Sequence, residues 1–188
     1  MIDYNEEHLL VQIEELSQVQ KTTFAAACAE RLQPLYARFI SEKGEPPVSL
    51  AGILDKIWAS IAGDINDIAS EALKAESLVP DEDDSWELVT GYAQNAAAAT
   101  AYAGRTWIEN GAQEAVWAAR QVYEAADLAS QHSTEDSSMD ANLSSRIVQL
   151  ALAGIQDDLA SVTSQSMPWA EVRERARQQS TGWAQLLL

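Results

Sequence analysis

The 188 residues carry 29 acidic against 12 basic side chains, a net charge of −17, with an ordinary 47% apolar content. That is enough chain for one domain with a sizeable core and too little for two comfortable ones, so residues 1–188 read as a single domain. Such a charge repels nucleic acid and anionic membrane and speeds encounter with cationic partners, although it also serves solubility.

Asn5 is placed to cap a first helix, with Glu6 and Glu7 at the positive end of its macrodipole. Leu10, Ile13 and Leu16 give that helix an apolar stripe ending near Ser17. A longer helix follows, on which Phe24, Cys28, Leu32, Leu35 and Phe39 recur every three or four residues and face the core. Pro34 lies inside it, lacking an N–H and clashing with the preceding turn, so the helix is expected to kink there rather than divide.

Gly44 and the prolines after it mark a turn, and Ser49 caps a third helix. Leu50, Ile53, Leu54, Ile57, Trp58 and Ile61 form its stripe, continued by Ile65, Ile68 and Ala72 beyond Gly63. The pattern leaves open whether Gly63 interrupts this helix. Val79-Pro80 ends it, and the acidic run Asp81-Glu82-Asp83-Asp84 leads into a helix that begins near Trp86, capped by Asp84 or Ser85.

From Trp86 to Gln131, runs of alanine are punctuated by aromatic residues, which reads as a helical hairpin turning at Glu109-Asn110-Gly111. Alanine loses no side-chain entropy in a helix and has no bulk at the contact, so two such helices can pack closely. An acidic, serine-rich loop over 132–145 follows. A sixth helix covers Arg146 to about Ser164, with Ile147, Leu150, Leu152, Ile155, Leu159 and Val162 on its apolar side. A short seventh starts near Pro168, where Arg173, Arg175 and Arg177 suit a helix end. Trp183 and the terminal leucines are expected to dock on the body. No segment alternates with period two, so the expected fold is all-α: a compact bundle of about seven helices around a central alanine-rich hairpin.

Catalytic motifs are absent from the sequence: there is no HExxH, paired CxxC, phosphate-binding loop or nucleophile elbow. His8 and His132 do not follow a glutamate by three residues, the spacing used in di-iron bundles, and read as surface histidines. Cys28, among alanines, reads as a small core residue, and a lone cysteine cannot form a disulfide within the chain. Asp64, Asp67 and Glu71 are spaced to share a helix face. The run from Asp81 fails as an EF-hand, since its sixth and twelfth positions are Trp86 and Tyr92 rather than glycine and glutamate. No metal, cofactor or enzymatic activity is expected.

Charge is uneven along the chain. Between Gly44 and Met167, twenty acidic residues face Lys56, Lys74, Arg105, Arg120 and Arg146, which places −15 of the −17 there. If the two hairpin helices are of similar length, the acidic stretches flanking them meet at one end. The candidate partner-binding surface is therefore Asp81, Glu82, Asp83, Asp84 and Glu87 with Trp86 as an aromatic anchor, joined by Glu135, Asp136 and Asp140. An acidic N-terminus, where a secretion signal would be basic, and the lack of an apolar run of about 20 residues lead to a cytoplasmic expectation.

The blocks TFAAACAERLQPLYARF at Thr23–Phe39, LDKIW at Leu54–Trp58 and AVWAARQVYEAAD at Ala115–Asp127 resemble the bacterial family called domain of unknown function 416. The resemblance spans most of the chain and implies a compact all-α domain without catalytic residues to carry over. The acidic loop after Gln131 departs from the family pattern. Some members look like immunity proteins of polymorphic toxin systems. The resemblance thus implies a cytoplasmic immunity protein that occludes a basic toxin domain such as a nuclease. The alternative is a housekeeping regulatory or scaffold protein acting as a homodimer or larger homo-oligomer.

Overall fold

The computed structural model describes residues 2–44, 48–64, 67–81, 87–132 and 146–187, leaving aside the side chains at 183, 184, 186 and 187. Among the described residues every regular element is a helix: α1 (Glu6–Glu14), α2 (Gln18–Lys43), α3 (Leu50–Ile61), α4 (Ile68–Ser77), α5 (Leu88–Glu109), α6 (Ala112–His132), α7 (Arg146–Ser164) and α8 (Trp169–Leu187).

At the centre stands α2 rather than the hairpin. Lys21 to Leu32 form twelve consecutive buried positions, and α3, α5, α6, α7 and α8 all pack around this helix. The sequence dictates this position: Ala25, Ala26, Ala27, Cys28 and Ala29 are fully buried and put no bulk on any side, so five neighbours can approach one axis. Phe24, Leu32, Ile53, Leu54, Ile57 and Trp58, at most 1% exposed, fill the wider gaps. Each fully buried aliphatic side chain of this set contributes about 2 kcal/mol. Cys28 is a core residue as expected, and burial pushes its thiol well above the usual range.

Local signals set the helix ends. Asn5 accepts from the His8 amide at 2.8 Å and Ser49 from that of Gly52 at 3.1 Å. Ser17 and Gln20 form a reciprocal capping box at the start of α2. That helix continues through Pro34 undivided.

The expected third helix is in fact two. Gly63 takes φ +101°, and the amides of Gly63 and Asp64 bond back to Ser60 and Ala59, each at 3.0 Å. This Schellman arrangement stops α3, because only glycine adopts such a backbone without strain. The consequence is eight helices among the described residues where about seven were expected, and Asp64, Asp67 and Glu71 do not share a helix face. Asp67 instead caps α4 through the Ser70 amide, and Glu71 is buried beside Lys56 and Lys74.

The hairpin is present. Asn110 adopts the left-handed conformation (φ 51°) after α5, and α6 starts two residues later. In α7, Val148 and Ala151 face the core while Leu150 is exposed, which shifts the expected stripe. The last helix is not short: α8 runs for 19 residues, so Arg173, Arg175 and Arg177 sit in its interior instead of at its end. The expected docking of Trp183 and the terminal leucines, Ile65 in the α3 stripe, the Asp84 or Ser85 cap and the 133–145 part of the acidic loop lie outside the described residues and side chains.

Candidate functional site

Two groups of charged side chains stand out, and they differ in how completely their charges are matched. The first lies where α8 packs on α2. Glu30 accepts from Trp58 Nε1 at 2.7 Å, Arg177 Nε at 2.8 Å and Arg173 Nε at 3.2 Å, and Arg173 also reaches Asp55. Arg173 lies 5.5 Å above the Trp58 ring, which stacks on Trp169 at 6.3 Å. One turn along, Asp158 binds Arg31 and Arg175, the latter at 2.6 Å. Arg31 also donates to Gln179 at 3.0 Å and to the Gly154 carbonyl at 3.2 Å. Burial disfavours the charged guanidinium, but the Asp158 carboxylate outweighs it and holds the Arg31 pKa above its ordinary value. These carboxylates are saturated by the chain's own arginines. Their role is to fasten a helix whose buried apolar side chains, among those described, are Val172 and Ala176.

The second group lies at the open end of the α5–α6 hairpin. The two helices have 22 and 21 residues and run antiparallel from a two-residue turn, so the start of α5 and the end of α6 lie side by side. Between them is a shallow groove of about 340 Å³, lined by Gly91, Gln94 and Asn95 from α5 and by Glu124, Asp127, Leu128 and Gln131 from α6. The amide of Gln94 donates to the Pro80 carbonyl at 2.9 Å, which draws the segment before α5 to the same end. Glu124 accepts from Arg120 at 2.7 Å, and among the described residues Asp127 accepts only from the neutral Gln131, also at 2.7 Å. Burial and the charges of Asp127 and Glu124 raise the pKa of the neighbouring Tyr123. This end therefore carries negative charge that the described cations do not balance.

Of the residues expected from the sequence, Asp81 and Glu87 are exposed beside this groove's helix start. Glu87 occupies the N-cap position of α5 without capping it through its side chain, and pairs with Lys43 at 3.2 Å. Glu82, Asp83, Asp84, Trp86, Glu135, Asp136 and Asp140 lie outside the described residues. The groove residues Gln94, Asn95, Glu124 and Asp127 were missed by sequence reasoning. One signal was available: two adjacent amides interrupt the alanine run at Gln94-Asn95.

No group of three or more His, Cys, Asp or Glu side chains suited to a metal ion occurs among the described residues, and no described helix is long and apolar enough to cross a membrane.

The model of the family described as "Protein of unknown function (DUF416)" matches residues 8–181. A crystal structure of a DUF416 family protein from Shewanella baltica is similar over 92% of this chain and 93% of that one, with a TM-score of 0.77 at 15% identity. That likeness is one of fold. Among curated proteins, none matches this sequence.

Proposed function

We propose, for a chain that belongs to the DUF416 family, that it acts as a cytoplasmic immunity protein: it binds a basic toxin domain, such as a nuclease, through the acidic open end of the α5–α6 hairpin and neutralises it by occlusion. The observation that carries this reading is the convergence of Asp81, Glu87, Glu124 and Asp127 at one end of the bundle, where the described cations Lys43 and Arg120 match only Glu87 and Glu124, in contrast to the arginine-paired carboxylates under α8. An anionic surface of this kind speeds encounter with a cationic partner, and groups buried on binding then set the residence time. Non-enzymatic action is part of the proposal, since occlusion requires only shape and charge.

The alternative, a regulatory or scaffold protein that self-associates, would use a face other than the buried alanines of the hairpin helices. Ala93, Ala96, Ala97, Ala99, Ala115, Ala118 and Ala119 are all 0% exposed within the bundle. The test is expression of the product of the neighbouring reading frame with and without this chain. If that product alone arrests growth and this chain restores it, the reading stands. Arrest that this chain does not relieve would sink it.

A further inference from the structure

We propose that the groove between the start of α5 and the end of α6 is a receptor for one guanidinium group, an arginine side chain presented by a basic protein. The inference rests on the immunity reading for the identity of the partner, while the chemistry of the groove stands on its own residues.

Asn95 is the decisive residue. It lines the groove, is 9% exposed, and its side-chain amide has no hydrogen-bond partner among the described residues. Its polar atoms keep contact with solvent at the groove, which leaves its carbonyl oxygen available to an N–H donor of a ligand. Around it are further acceptors with spare capacity. Gln94 uses its nitrogen on the Pro80 carbonyl, so its oxygen is free for the groove. Among the described residues, Asp127 receives one bond, on one oxygen, from Gln131, and Glu124 receives Arg120 on Oε1. Gly91 adds no side chain to the floor, and Leu128 adds an apolar wall.

The groove thus offers several oxygens, excess negative charge and an apolar side. A planar guanidinium with five N–H groups meets adjacent oxygens simultaneously and lays its weakly hydrated face on an apolar wall. An ammonium is compact and strongly hydrated, and satisfies fewer of these acceptors at once.

The test is a titration of the ¹⁵N-labelled full chain, followed by NMR, with arginine methyl ester, lysine methyl ester or sodium chloride at matched ionic strength. The arginine ester is expected to shift the side-chain amides of Asn95 and Gln94 and the Gly91 backbone amide along a saturating curve. The lysine ester should bind at least about fivefold more weakly. Asp127→Asn should weaken arginine binding about tenfold, the loss of one charge-assisted hydrogen bond. Asn95→Ala replaces the amide with the best helix former and keeps the fold, so its expected loss of binding reports on the groove. Equal shifts with sodium chloride, or arginine binding unchanged by Asn95→Ala, would overturn the inference. Growth rescue that survives both substitutions would overturn this groove as the contact while the immunity reading stands. Arginine binding with no toxin to neutralise would overturn that reading and leave the receptor.

Discussion

Arg31 and Asp158 form an ion pair between α2 and α7 that solvent does not reach, their side chains being 1% and 0% exposed. The Arg31 guanidinium is further held by Gln179 and the Ala27 and Gly154 carbonyls, and Asp158 by Arg175, so three helices meet at one pair of charges. Replacing Asp158 with Asn leaves Arg31 buried without its counter-charge. The expected cost is about 3–5 kcal/mol, read as a lower urea midpoint at unchanged slope. Replacing both partners by apolar residues of similar volume, as in Arg31→Met with Asp158→Leu, should cost less than the single change.

Gly154 makes room for that pair. A Cβ at this position would stand 2.9 Å from Arg31 Nε and 3.3 Å from its Cζ, and the guanidinium is too firmly bonded to step aside. Gly154→Ala is therefore expected to destabilise by about 1–3 kcal/mol even though alanine is the better helix former. In the Arg31→Met background most of that penalty should vanish, which a double-mutant cycle by urea unfolding measures directly.

Two carboxylates should push the pH profile in opposite directions. Burial acts to raise the pKa of Glu71, but hydrogen bonds from Lys56 and Lys74 at 2.7 and 2.8 Å prevail and hold it below 4.5. Its contribution is complete above pH 4.5 and is lost as pH falls through the lower folded value, so Glu71→Gln should flatten the acid limb of stability. Glu114 is raised above 4.5 by burial and by Glu109 and Glu76, which Arg105, 3.9 Å away, only partly offsets. Ionised, it opposes folding at neutral pH, and the opposition fades as pH falls through its folded value towards 4.5. Glu114→Gln should accordingly unfold later than the parent at pH 7, with the gap closing near pH 4.

What was legible in the sequence was local. Asn5, Ser49, Asn110 and the Gly44 turn act through backbone groups a few residues away, and their spacing carries the information. The all-α class followed from periodicity in the same way, and the hairpin from the Asn110-Gly111 turn between two helices of nearly equal length. What stayed hidden depends on partners distant in sequence. Arg31 lies 127 residues from Asp158 and Glu30 lies 143 from Arg173, so the α8 arginines looked like dipole-complementing residues at a helix end. Asn95 was illegible for a related reason: an amide in an alanine run acquires meaning only when Asp127 and Glu124 arrive opposite it. The placement of α2 at the centre was missed because its charged Lys21, Glu30 and Arg31 disguise a stretch buried on every side.

The central claim, that the acidic open end captures a basic protein, is tested most directly by the association rate of the purified chain with the product of the neighbouring reading frame, measured by stopped flow from low to high salt. The account expects a 1:1 complex whose association slows steeply with salt, and a shallower dependence when Asp81→Asn, Glu87→Gln and Asp127→Asn are combined. No complex, or an association rate indifferent to salt, would contradict it.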